Sequence, residues 1–417
     1  MTSFDRSYRR TTCRFCGHDR LIEVLDLGDQ PGADAFLPAD RVADETRHPL
    51  RVNLCPRCGA SQLSHVVAAS SIYADYVYLS STSRPLVDYY QSLVDHLVAR
   101  FRPDSGAVVV DIGANDGIML DRYAKDRFVK VGVEPSSAGE VAVAKGYDIR
   151  AGFFDEEAVT GILADPGPAS LVTATNVFAH VDEIGAFARA LERLLAPQGV
   201  AVLEFPYVVD TVDGLYFDTI YHEHLSYLGL TPVDPLMERS GLRVFDAVRT
   251  PFGASGPAIR VFVAKAASAH ARTPAVGDLL AAEERFGIRD EAVYRRFAER
   301  VEGVRHCLLA LIRDLWAEGG VVGAYTAPAK GNTLLNYLGL TPAEVVAVSE
   351  RNERKIGLVT PGAHIPVVDD DTFLGMGITH ALLLSWNYAE FFRANSPFAK
   401  AGGRFVVPLP EPGILPP

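Results

Sequence analysis

The feature that most narrows the fold of this chain is an alternation. Val108–Asp111, Lys130–Glu134, Leu171–Thr175 and Val200–Phe205 are short, largely apolar runs, and stretches with helical spacing lie between them. Runs of this kind suit strands buried on both faces, and intervening helices carry the chain back to start the next strand in parallel. Leu242–Thr250 and Ile259–Ala264 read as later strands of the same sheet. Upstream, Leu86, Tyr89, Tyr90, Leu93, Val94 and Leu97 predict an amphipathic helix. A long helical region from about Val276 to Ala317, broken near Gly287, follows the sheet. Alternation then resumes with Val321–Tyr325, Val345–Ser349, His380–Leu384 and Arg404–Val407, which predicts a second, smaller α/β unit. Pro408–Pro417 reads as an extended tail. At 417 residues the chain needs two or three cores rather than one.

Four of the five cysteines form two pairs, Cys13-x-x-Cys16 and Cys55-x-x-Cys58, each followed by a glycine, Gly17 or Gly59. Such turns let two thiolates face one point, and two of them complete a closed tetrahedral site. The 38 residues between the pairs cost only slightly more closure entropy than a short loop. A redox Cys-x-x-Cys would follow a strand of a thioredoxin-like unit, and none is evident. The expectation is a structural zinc ion on Cys13, Cys16, Cys55 and Cys58. Cys307, alone on a helix, is expected to be a small packed residue.

Charge and composition exclude other classes. A net charge of -12 argues against a broad nucleic-acid footprint. The absence of a run of 18 apolar residues argues against a membrane span. Hydrophobic residues at 48% exclude a disordered chain. With few cysteines and no apolar signal core in Met1–Arg10, a cytoplasmic protein with reduced thiols is the simplest reading.

The clearest chemical signal is Val108–Gly117, in which an apolar strand ends in Asp111 and runs into a glycine turn, Gly113-Ala-Asn115-Asp116-Gly117. The dinucleotide fingerprint is absent. An acid before the first glycine suits a ligand carrying an ammonium group. Glu134, ending the next strand beside Pro135, can accept both ribose hydroxyls. Phe154 can flank an adenine, and Asn176, Val177 and Phe178 end the fourth strand at the same edge of the sheet. Together, with Ser81 upstream, these favour an S-adenosylmethionine site.

Tyr221-His222-Glu223-His224 is dense in ionisable groups, and burial beside a Glu can tune a histidine base. His180 lies near the cofactor edge, and the Tyr76 and Tyr78 hydroxyls could stabilise developing negative charge. From spacing alone, a metal pair or a solvated loop remain alternatives. Lys330, Asn332 and Thr333 sit at a strand-to-helix turn suited to an anion.

Asn176–His180, Glu204–Tyr207, Phe217–Tyr227 and Ala327–Asn336 resemble the deoxysugar C-methyltransferases of antibiotic pathways, including the tetronitrose, mycarose and noviose branch-forming enzymes. The resemblance runs from Cys13 to about Pro366. It implies an α/β chain of three domains. These are a zinc-binding module (1–70), a Rossmann-like methyltransferase sheet (71–270) and a C-terminal α/β domain (271–417) that helps hold a nucleotide-linked sugar. It also implies methyl transfer to the 3-carbon of a dTDP-4-keto-deoxysugar. His224 would be the base, with Tyr221, Glu223, His180 and Tyr76 or Tyr78 supporting the enolate or holding the sugar. Lys330, Asn332, Thr333 and Arg260 are expected at the substrate. The chain departs from the family pattern at Gly253–Arg260 and at Thr326, where a glycine is usual. O- or N-methylation, a non-sugar carbon acid, a non-catalytic binding protein and an RNA methyltransferase are the competing readings. Monomer and homodimer are both open.

Overall fold

A computed structural model describes residues 6–68, 72, 79–253 and 256–416, with the side chains of 251–253 left out. Its strands, in chain order, fall into three units. The first holds β1 (Tyr8–Arg9), β2 (Ile22–Gln30), β3 (His48–Leu54), β4 (Ser61–Leu63) and β5 (His65–Val66). β2 and β3 form an antiparallel pair within the segment joining the two cysteine pairs, so that segment is folded rather than a loop. Each Cys-x-x-Cys closes a tight turn. The Gly17 N–H donates to the Cys13 carbonyl and the Gly59 N–H to the Cys55 carbonyl. Both glycines take left-handed φ, +71° and +79°, which glycine adopts at little cost.

The second unit is a seven-stranded sheet: β6 (Val108–Ile112), β7 (Val129–Glu134), β8 (Asp148–Ala151), β9 (Ala169–Thr175), β10 (Leu195–Pro206), β12 (Leu242–Gly253) and β13 (Gly256–Lys265). The intervening β11 (Ser226–Tyr227) leaves this sheet and pairs with β4 of the first unit. The order is β12-β13-β10-β9-β6-β7-β8. β6 to β10 are parallel, and β13 is antiparallel to both neighbours. β6 is buried along its whole length, as its apolar sequence requires. The helix Arg84–Phe101 lays Leu86, Tyr90, Leu93, Val94 and Leu97 onto the sheet, the stripe expected from their spacing.

The third unit holds β14 (Val322–Tyr325), β15 (Val348–Ser349), β16 (Val367–Val368), β17 (His380–Leu383), β18 (Arg404–Val407) and β19 (Gly413–Ile414), ordered β16-β15-β14-β17-β18-β19. All are parallel except β19. The Pro-rich end is therefore not a free tail: β19 adds an edge strand and Leu409 is buried. The expected strand over 345–349 pairs only at Val348–Ser349. The helical region divides at Gly287 into Pro274–Phe286 and Glu291–Ala317. Cys307 is exposed, contrary to the packed position expected. Tyr294, Phe297, Val301, Val304, Leu308, Ile312 and Leu315 form the buried stripe of that helix, and Cys307 precedes Leu308, about 100° off it. Among the described residues, no helix is long and apolar enough to cross a membrane.

Candidate active site and metal centre

The four paired cysteines converge, with all Sγ atoms within 4.8 Å of one another. Cys13 lies 3.5 Å from Cys58, and Cys16 lies 3.6 Å from Cys55. Thiolates on a tetrahedral zinc ion, with Zn–S near 2.3 Å, stand roughly 3.8 Å apart, so the set fits the ion. Hydrogen bonding within the cluster splits the thiols: the Cys13 thiol is pushed up to about 12, chiefly by its bond with Cys55, and Cys55 is held well below its ordinary value, chiefly by its bond with Cys13. Four thiolates leave no coordination position for a substrate, which makes the centre structural.

This module docks on the sheet through buried charge. Arg14 Nε donates to Asp182 at 2.9 Å, and Arg10 and Tyr8 bond the same carboxylate. The buried Gln62 accepts from the Arg14 N–H and donates to the Thr12 carbonyl, beside Cys13. β4, which carries Gln62, pairs with Ser226 and Tyr227, and the Leu63 N–H donates to the Leu225 carbonyl. The stretch carrying His224 is thus hydrogen-bonded to the metal-binding module.

One cavity of about 970 Å³ runs between the three units. At one end lies the edge of the large sheet. Gly113 has φ +73°, and a Cβ there would stand 2.4 Å from Val177 Cγ2, so no larger residue fits. The Asn115 N–H donates to Glu134 at 2.8 Å, and the Ser136 N–H and hydroxyl bond the other Glu134 oxygen. Asp111 accepts from the Thr173 hydroxyl at 2.6 Å. Burial pushes Asp111 up to about 7, against that hydrogen bond and with Glu134 adding to the rise. Two acids at one buried turn make this end a place where a cationic ligand is welcome. Asp111, Gly113, Asn115, Glu134, Pro135, Phe154, Asn176 and Val177 all line the cavity.

At the middle stand Tyr221, His222, Glu223, His224 and His180, which also line it. His224 Nδ1 lies 2.7 Å from the Thr219 carbonyl. A carbonyl can only accept, so Nδ1 carries the proton and Nε2 keeps its lone pair. Burial pushes His224 down to about 4, so the ring is neutral at physiological pH. Its neighbours are the Tyr221 ring at 4.0 Å and the His180 ring at 4.9 Å, centroid to centroid. His180 is held well below its ordinary value by burial and by His224. His222, pushed down to about 4 by burial, packs on His48. Glu223 moves the other way, up to about 8, through burial and then through Asp34, with Lys355 opposing. Lys355 pairs with Asp34 at 2.9 Å and donates to the Ala327 carbonyl.

The far end belongs to the third unit, where Pro328, Ala329, Lys330, Ser385, Asn387 and Tyr388 line the wall. Lys330 Nζ donates to Asn387 at 2.7 Å and lies 4.3 Å over the Trp386 ring. Trp386 donates to the buried Asp218 at 2.6 Å. The helix Ala329–Leu338 begins without a side-chain cap; the Gly331 N–H donates to the Pro328 carbonyl, which leaves the Ala329 and Lys330 N–H groups for an anion.

Several expected site residues stand behind the wall rather than on it. Asp116 accepts from Ser81, and the pair braces the glycine turn of which Gly117 is part. Phe178 is fully buried among Phe187, Phe205 and Phe15. Arg260 is taken up by Glu204 and the Tyr89 hydroxyl. Asn332 is buried and donates to the Ala33 carbonyl, tying the third unit to the first, and Thr333 is buried beside it. None of these seven is among the cavity-lining residues. Tyr76 and Tyr78 lie outside the described residues. Sequence reasoning missed Asp34, Lys355, Ser385, Asn387 and Tyr388, which sit in segments with no local motif.

Family comparisons agree along the chain. Residues 13–73 match a zinc binding domain, 86–247 a methyltransferase domain, and 253–410 a C-methyltransferase C-terminal domain. C-methyltransferase NovU of Streptomyces niveus is 37% identical over 406 residues, covering 97% of this chain and 96% of that protein. Among solved structures, magnesium protoporphyrin IX methyltransferase of Synechocystis PCC 6803 with bound SAH is 15% identical. It covers 43% of this chain and 83% of its own, with a TM-score of 0.34. CurJ carbon methyltransferase is 13% identical, covering 45% and 57%, with a TM-score of 0.35. The assignment rests on the sequence matches. With an acidic glycine turn for the cofactor, four converging thiols for zinc and all three domain matches in order, the chain belongs to the S-adenosylmethionine-dependent C-methyltransferases with an N-terminal zinc-binding domain, the family that includes NovU.

Proposed function

We propose that this enzyme methylates the 3-carbon of a dTDP-linked 4-keto-deoxysugar through an enolate, in the biosynthesis of a branched sugar, and that it works in the cytoplasm. The observation that carries the reading is His224. Its Nδ1–H is committed to the Thr219 carbonyl, and its neutral ring lies on the same cavity as the acidic cofactor turn and Lys330. S-adenosylmethionine, when bound, supplies an electrophilic methyl group. Asp111 and Glu134 would hold its cationic and ribose groups.

A proton on carbon next to a ketone is acidic enough for a positioned imidazole to remove. The electron pair of the broken C–H bond moves into the ketone, placing negative charge on its oxygen. Glu223, which keeps its proton at neutral pH, and the Tyr221 hydroxyl are the donors for that oxygen. Lys330 and the uncapped helix start take the diphosphate. His224 and Glu223 are both buried, which limits water beside the enolate.

The test is proton exchange. Wild-type enzyme incubated with a dTDP-4-keto-deoxysugar in D₂O without methyl donor is expected to place deuterium at the 3-carbon, and His224→Asn is expected to abolish it. Exchange at the wild-type rate in His224→Asn removes His224 as the base. Methyl transfer to oxygen or nitrogen of the sugar removes the carbon-acid reading altogether.

A further inference from the structure

The third unit contains a backbone outlier that neither the cofactor nor the base explains. Thr326, the residue after β14, has φ +67°. A β-branched residue in the left-handed region is strained, and such strain persists only where its surroundings over-determine it. Here they do. The Thr326 N–H donates to the Ser349 carbonyl at 2.8 Å. The next residue, Ala327, donates its N–H to Glu350 and accepts from Lys355.

The side chain of Thr326 is also fully used. Its hydroxyl donates to Ser385 Oγ at 2.8 Å and accepts from the Ser385 N–H at 3.1 Å. Ser385 follows β17, and β14 and β17 are adjacent parallel strands. The sheet order reverses between them, since the crossover from β14 runs first to β15 on one side and later to β17 on the other. In open parallel sheets a ligand enters the crevice at that reversal. The two hydroxyls join the lips of that crevice.

What the clasp holds is a short wall. Ser385-Trp386-Asn387-Tyr388 is tied at its start to Thr326, at Trp386 to Asp218 and at Asn387 to Lys330. Ser385, Asn387, Tyr388 and Lys330 all line the cavity.

We propose that the Thr326–Ser385 clasp is a positioning element for the nucleotide diphosphate: it sets the Ser385–Tyr388 wall, and through Asn387 the Lys330 ammonium, at the distance the ligand needs. The inference rests on the nucleotide-sugar reading above. Thr326 itself is not among the residues that line the cavity.

The substitution Thr326→Gly gives opposite expectations for a backbone role and a clasp role. Glycine relieves the positive φ, so a residue that merely completes the turn leaves nucleotide binding unchanged or improved. A clasp loses both hydroxyl bonds, and the affinity falls. With zinc-loaded full-length protein, calorimetric titration with dTDP is expected to show binding about fivefold to tenfold weaker in Thr326→Gly. Thr326→Ser restores wild-type affinity, Ser385→Ala gives a smaller loss, and S-adenosylhomocysteine binds all variants equally. Turnover of a nucleotide-sugar substrate shows the loss in KM with kcat unchanged. Equal dTDP affinity in wild type and Thr326→Gly overturns the clasp alone. Failure of the wild type to bind dTDP overturns the clasp together with the nucleotide-sugar reading. Should Thr326→Gly fold poorly, Ser385→Ala decides by the same criterion.

Discussion

The large sheet and the C-terminal sheet share a plan and differ in sign. Among the five parallel strands of each, the first lies at the centre. The second and third flank it on one side and the fourth and fifth on the other, as β6-β7-β8 and β9-β10 in one and β14-β15-β16 and β17-β18 in the other. Each opens the same cavity at the carboxyl ends of its first and fourth strands. The large sheet places acids there, Asp111 and Glu134. The C-terminal sheet places Lys330 and an uncapped helix start. On the proposed reading one topology serves ligand groups of opposite charge, and the side chains at the turn decide which. The proposed base comes from neither crevice. His224 stands between them, in a stretch whose end pairs with the zinc module.

Removing the zinc ion tests this division most severely, because the module packs on both other units. Cys55→Ser, or a strong chelator, is expected to lower the melting temperature by more than about 10 °C and to abolish turnover. Unchanged turnover in metal-free protein would show that neither crevice depends on the module.

The next effect separates the two crevices. Gly113→Ala puts a Cβ against Val177 in a left-handed backbone and is expected to weaken S-adenosylhomocysteine binding at least about 100-fold, leaving dTDP affinity within about twofold. A parallel loss of both ligands would mean that the crevices are not independent. Lys330→Ala is the reciprocal case, with about a tenfold rise in KM for the nucleotide-sugar and an unchanged cofactor affinity. An equal change in cofactor affinity would refute the assignment of opposite charges to opposite ends.

The smallest effect near neutrality is in the pH profile, which reports the groups between the crevices. As the proposed base His224 must act deprotonated, so kcat/KM is expected to fall as pH drops through about 4. As the proposed donor Glu223 must act protonated, so kcat/KM is expected to fall again as pH rises through about 8. Glu223→Gln keeps a donor that does not titrate and is expected to remove the alkaline limb. An alkaline limb that persists in this variant assigns it to another group.

The apolar runs marked six of the large sheet's seven strands, because a strand buried on both faces must be apolar along its length, while β8, a half-exposed edge strand, carries no such run. The cysteine turns and the glycine turn were legible for a similar reason: tight turns place their demands on consecutive residues. Exposure of Cys307 was not legible, since its single-residue offset from the buried stripe emerges only once the helix is docked. Neither was the folding of Pro408–Ile414 onto β18, which is a pairing between distant segments. The place of Asp111, Gly113 and Glu134 on the cavity wall was readable from their position at strand ends. Phe178 and Arg260 look like site residues in sequence, yet packing assigns the first to an aromatic core and the second to Glu204. Asp34, Lys355 and Asn387 reach the cavity only because three units close around it. The sequence by itself determined the backbone-driven parts, the zinc knuckles and the cofactor turn. The tertiary structure alone decided which charges face each other across the cavity, because burial and opposition are properties of neighbours in space rather than along the chain.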